Sequence, residues 1–77
     1  IVLIFPVEVQ LQEKNLRKPQ EILSKFCQEN SLSCLDLLPL LEKQKEKVFL
    51  DLGHPNVFGS KIIAEEIAGY LLKNHLP

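Results

Sequence analysis

Pro55 restricts this chain more than any other residue, because its ring crowds the preceding His54 out of the helical region and into an extended or turn conformation. Asn56 follows it. An asparagine there suits a helix N-cap, its side-chain oxygen accepting one of the free amides of the first turn. Beyond it Ile62, Ile63, Ala64, Ile67, Ala68, Leu71 and Leu72 recur at helical spacing, which predicts a helix starting after Asn56 with one face directed at a core. Lys61 and Glu65, four apart on the other side, mark the solvated face, where such a pair contributes only about 0.2–0.5 kcal/mol. Gly59 falls in the first turn, where glycine costs up to about 1 kcal/mol against alanine, and predicts a close approach of the helix to a loop or sheet. Ahead of Pro55 the apolar triplet 48–50, read as a short strand, runs into Asp51 and Gly53. An acid and an imidazole are thus expected on a short loop delivered to a helix, the kind of setting in which binding and catalytic side chains are held.

Asp51 and His54 are three residues apart with Gly53 between them, so the carboxylate is expected to reach the imidazole and decide which ring nitrogen carries the proton. A histidine oriented in this way serves as a general base toward a serine hydroxyl. The chain's own serines are Ser24, Ser31, Ser33 and Ser60, and none lies in a Gly-Asp-Ser or Gly-x-Ser-x-Gly setting that would present a hydroxyl on a tight strand-to-helix turn.

Asp51-x-x-His54 after an apolar run, followed by Pro55-Asn56, Gly59 and a helix containing Ile62-Ile63-Ala64-Glu65, resembles the C-terminal conserved block of the SGNH hydrolases, the GDSL esterases and lipases. The resemblance covers roughly the last third of the chain. It implies a three-layer α/β fold with a parallel, flavodoxin-like sheet, of which residues 1–77 are the C-terminal portion of a single domain. It also implies Asp51 as the triad acid and His54 as the catalytic base of a serine ester hydrolase working through an acyl-enzyme, with no metal or organic cofactor. In that family the nucleophile and the oxyanion-hole glycine and asparagine precede the C-terminal block, so they are expected outside these residues. Esters of lipids, carbohydrates or small molecules are the implied substrates. A polysaccharide O-acetyltransferase or deacetylase of the same fold, or a noncatalytic interaction module without the serine, are the alternatives.

The chain has no methionine and opens on an apolar run, which fits a piece of a larger domain. A whole domain of this size would bury only about 60% of its unfolded surface. The piece alone is expected to be inactive and prone to associate through unpaired strand edges. Residues 1–5, aliphatic and aromatic throughout, read as a strand buried on both faces. Residues 7–18 read as a loop over the carboxyl ends of the strands, where open α/β sheets bind ligands, with Glu8 and Gln10 as solvated loop residues or substrate contacts. Pro19 suits a first helical turn, and Ile22, Leu23, Phe26 and Cys27 then repeat at helical spacing, predicting a helix over 19–29 closed by Asn30. A strand at 33–35 would complete a strand–helix–strand unit with parallel strands. Asp36 is expected to cap a helical turn over 37–41.

The net charge of −1 and the mixed signs of residues 42–47 leave no basic patch for nucleic acid, and that run reads as a solvated turn. No apolar run approaches the roughly 18 residues that span a bilayer. No signal peptide, with its charged region, apolar stretch and small-residue cleavage site, is visible in the N-terminal residues. Cys27 and Cys34 read as two buried free thiols, with a disulfide as the alternative in an exported protein. His54, His75 and Asp51 lack zinc-ligand spacing, and His75 reads as a surface residue near a helix end.

Overall fold

The structure is a computed structural model and describes residues 1–74. Its sheet consists of β1 (Val2–Ile4) and β2 (Cys34–Asp36), paired in parallel with Val2 opposite Cys34 and Ile4 opposite Asp36. The crossover between them carries α1 (Glu8–Gln12), a short 3-10 turn (Lys14–Leu16) and α2 (Lys18–Glu29). After β2 come α3 (Leu38–Glu42) and, following a loop, α4 (Val57–Lys73). The parallel strand–helix–strand unit and the two longer helices lie where the sequence predicts them, but of the core face expected on α4 only Ile63 is buried, while Ala64, Ala68 and Leu72 are exposed. His75 lies outside the described residues. Among the described residues no helix is long and apolar enough to cross a membrane.

The core is small and includes Val48 and Phe49, the residues that lead into the loop carrying Asp51 and His54. Leu37, Leu41, Val48, Phe49 and Ile63 are buried together, with Leu11, Leu35, Leu40, Ile62 and Ile67 packed around them. Asp36 is the last residue of β2 and not the expected helix cap: the N-cap of α3 is Leu37, and Asp36 Oδ1 accepts the Leu38 amide at 3.0 Å across it. Pro19 occupies the first turn of α2, where the absence of its N–H costs nothing.

Residues 7–18 are not the expected open loop. The amide of Val7 donates to Gln10 Oε1 at 2.9 Å, Gln10 Nε2 donates to the Leu16 carbonyl at 2.8 Å, and the Gln10 and Gln20 side chains bond each other reciprocally at 3.0 Å. Gln10 is therefore a buried structural residue, not a solvated one. A buried amide left without its partner costs about 1–3 kcal/mol, so the pair holds α1 to α2. Arg17 completes the junction. Its guanidinium donates to the Gln10 and Leu11 carbonyls and to Glu42 at 2.6 Å, tying α3 to the end of α1 and holding the Glu42 carboxyl below its ordinary pKa.

Three other expectations are corrected. The strand expected over 1–5 spans only Val2–Ile4 and is buried only at Ile4, while Ile1 and Phe5, outside it, are about half exposed. On α2 the apolar stripe is largely uncovered: Ile22, Leu23 and Phe26 are exposed and only Cys27 is buried. Cys27 and Cys34 are disulfide-bonded, with Cα atoms 6.2 Å apart, so they are not free thiols. The turn from α2 into β2 brings them together, as Leu32 donates to the Cys27 carbonyl at 2.9 Å and Ser31 takes a left-handed φ of 54°.

Closing a loop this short restricts the unfolded chain by about 2 kcal/mol. Replacing both cysteines with serine is expected to lower unfolding stability by that order in a denaturant titration, with reductant doing the same to the unaltered protein. Two titratable thiols in the unreduced, unfolded protein would contradict the bridge.

Candidate active site

The expected strand over 48–50 is instead one arm of a tight hairpin. Phe49 and Pro55 form a single antiparallel bridge, flanked by Leu50 N donating to the His54 carbonyl at 2.7 Å and Asn56 N donating to the Val48 carbonyl at 2.9 Å. Val48 and Phe49 are buried and anchor the arm. The proline lacks an N–H, but a lone bridge asks none of it. The hairpin tip is tied back to the crossover by Glu8 N, which donates to the Leu52 carbonyl at 2.8 Å. Glu8 opens α1 just after β1, so the tip lies on the carboxyl side of that strand. This backbone contact is Glu8's link to the site, and nothing in the sequence pattern signals it.

Asn56 joins the hairpin to α4. Its Oδ1 accepts the Gly59 amide at 2.7 Å, as a cap should, while its Nδ2 donates to the Lys47 carbonyl at 2.8 Å. One side chain thus fixes both the helix start and the entry to the hairpin. Gly59 is buried at this junction, and a Cβ there would overlap the Val48 carbonyl oxygen and stand 3.1 Å from its carbon. The Val48 carbonyl cannot easily retreat, because it already accepts the Asn56 amide. Gly59→Ala is therefore expected to destabilise by about 1–3 kcal/mol despite the better helix propensity of alanine. Gly69→Ala, in open space on the same helix, is expected to gain up to about 1 kcal/mol. Thermal unfolding of the two variants checks the pair of signs.

Within the tip, Asp51 organises its own loop. Its Oδ1 accepts the amides of Gly53 at 3.0 Å and His54 at 2.9 Å. The imidazole Nδ1 lies 2.9 Å from Oδ1 and 3.0 Å from Oδ2. The Gly53 amide, then the imidazole and then the His54 amide hold the Asp51 carboxyl below its ordinary pKa. An ionised carboxylate only accepts, so the proton facing it belongs on Nδ1. That leaves the lone pair on Nε2, and the His54 side chain is 80% exposed. No protein-family model, curated protein or solved structure matches this chain.

The geometry brings together Asp51, His54 and the cap. Among the described residues no serine hydroxyl is hydrogen-bonded to His54, and Ser24 faces clefts beside α2 with Asp36. A cavity of about 400 Å³ beneath the crossover is lined by Glu8, Leu11, Glu42, Lys47 and Phe49 among others, and neither Asp51 nor His54 lines it. The pair stands instead at an open surface with Leu50 and Leu52, 71% and 72% exposed, on either side of Asp51.

Proposed function

We propose that this chain supplies the acid and the base of a serine ester hydrolase of the SGNH type, within a three-layer α/β domain with a parallel sheet. One observation carries the reading: the Asp51 carboxylate sits 2.9 Å from His54 Nδ1 while Nε2 is left open. The parallel strands and the position of the tip on the carboxyl side of β1 are consistent with it, since open α/β sheets bind ligands at that end. The Asn56 cap and the Gly59 contact give the rigid base such a pair needs.

The nucleophile is a serine outside residues 1–77. As its oxygen attacks the ester carbonyl, Nε2 takes the hydroxyl proton. The imidazolium so formed is stabilised by Asp51 and returns the proton to the leaving alkoxide, giving the alcohol and an acyl-enzyme. Water then repeats the sequence, with His54 taking its proton and returning it to the serine oxygen as the acid is released. Neither step calls for a metal or an organic cofactor.

Turnover of aryl esters by the product of the complete reading frame, with His54 intact and with His54→Ala, tests the reading. Serine-dependent turnover that the substitution removes supports it. An unaltered, folded protein that turns over no ester refutes it.

A further inference from the structure

We infer that Glu8 and Gln10 are positioning residues for His54: α1 holds the hairpin tip through the Glu8 amide, and Gln10 sets the direction of that amide. The inference rests on the hydrolase reading and deepens it. Among the described residues, the bonds made within the tip run between positions 50 and 54, from the turn amides on Asp51 to the imidazole on its carboxylate. They fix the shape of the pair. They do not fix where the pair stands relative to a nucleophile carried elsewhere in the domain. The base of the hairpin is anchored by buried Val48 and Phe49 and by Asn56, and a hairpin gripped only there can pivot, with Nε2 at its far end moving furthest. The bond from the Glu8 amide to the Leu52 carbonyl, at 2.8 Å, supplies the second grip. It joins the middle of the tip to the crossover just after β1.

Gln10 holds Val7 from both sides. The Val7 carbonyl accepts the Gln10 amide at 3.0 Å, and the Val7 amide donates to Gln10 Oε1 at 2.9 Å. That carbonyl and the Glu8 N–H belong to one planar peptide unit, so fixing the first aims the second. Gln10 itself is not free to turn. Its Nε2 hydrogens go to the Leu16 carbonyl and to Gln20 Oε1, and its Oε1 accepts the Gln20 Nε2 as well as the Val7 amide, which uses every donor and acceptor of the group. The buried Gln10–Gln20 pair is thus linked, through one peptide plane, to the carbonyl at the middle of the tip. A displacement of the base by about 1 Å costs on the order of a hundredfold in rate, so a grip on the tip acts on the chemical step.

Proline at position 8 removes this one N–H. Glu8 is the first residue of α1, a position that accepts proline, and Val7 is already extended at φ −102° and ψ 160°, as a residue before proline must be. In the full-length protein, with p-nitrophenyl acetate as substrate, Glu8→Pro is expected to lower kcat about a hundredfold with KM little altered. Glu8→Ala, which loses the same carboxylate and keeps the N–H, is expected to lower it far less. Ring-nitrogen NMR of Glu8→Pro is expected to keep the proton on His54 Nδ1, because the bonds between Asp51 and His54 lie within the tip. Gln10→Met combined with Gln20→Met replaces the buried amide pair by apolar side chains of similar size, which leaves neither amide without its partner. It releases the Val7 amide and is expected to lower kcat in the same direction by less, and it decides the matter in the same way where Glu8→Pro is unfolded. Equal kcat in folded Glu8→Pro and Glu8→Ala overturns the grip alone, as does a moved ring proton, which would place the fault in the pair itself. Absence of turnover in the unaltered protein overturns the hydrolase reading and the grip together.

Discussion

On the proposed reading, His54→Ala in the full-length protein is expected to lower kcat for ester hydrolysis by on the order of 10⁶, the cost of removing the base of a triad that acts as a unit with its serine. The fold should not notice. His54 buries little, its side chain bonds only to Asp51 among the described residues, and its two backbone bonds, to Asp51 Oδ1 and from Leu50, survive the substitution. The loss should therefore fall on the chemical step, with the melting temperature within a degree or two of the unaltered protein and the binding of an unreactive ester analogue retained. Turnover persisting in a well-folded His54→Ala protein would remove His54 from the mechanism. The proposed triad would go with it.

The parts of this site that were legible in the sequence are those determined by near neighbours. Pro55 acts on His54, Asn56 on the amide three residues ahead and Asp51 on the amides two and three residues ahead, so the loop and the start of α4 follow from a handful of adjacent residues. What was not legible depends on distant partners. The five residues of α1 are too few for helical periodicity to register, and their conformation is held by Gln10 reaching Gln20 and Arg17 reaching Glu42. The Cys27–Cys34 bridge follows from the turn at Ser31 and Leu32, which spacing alone does not reveal. The triplet 48–50 has the composition of a strand, but a strand needs a ladder, and these residues find only the other arm of their own hairpin. The crossover's grip on Leu52 is likewise a backbone contact made without any characteristic residue.

Asp51→Asn separates the two things this carboxylate does. An asparagine Oδ1 can still accept the amides of Gly53 and His54, so the loop is expected to hold and the melting temperature to change little. Its NH₂ group, however, now stands where Oδ2 lay 3.0 Å from Nδ1 and favours an accepting Nδ1, which shifts the ring proton toward Nε2 and takes the lone pair from the base. The expected fall in kcat is on the order of 10⁴ with KM little altered. Ring-nitrogen NMR should report the change of tautomer directly. Asp51→Ala removes the turn bonds as well, so it should lower both kcat and the stability of the loop. Because the folded Asp51 carboxyl ionises below its ordinary value, its contribution to the loop is complete above the ordinary carboxylate range, around pH 4, and is lost as the pH falls through the lowered value. At neutral pH the charge is fully present, and any defect of the Asn variant there is a defect in orienting and stabilising the imidazole. If that variant kept kcat within tenfold, orientation of His54 would have to come from a backbone acceptor elsewhere in the domain, and Asp51 would be left as the residue that shapes the turn.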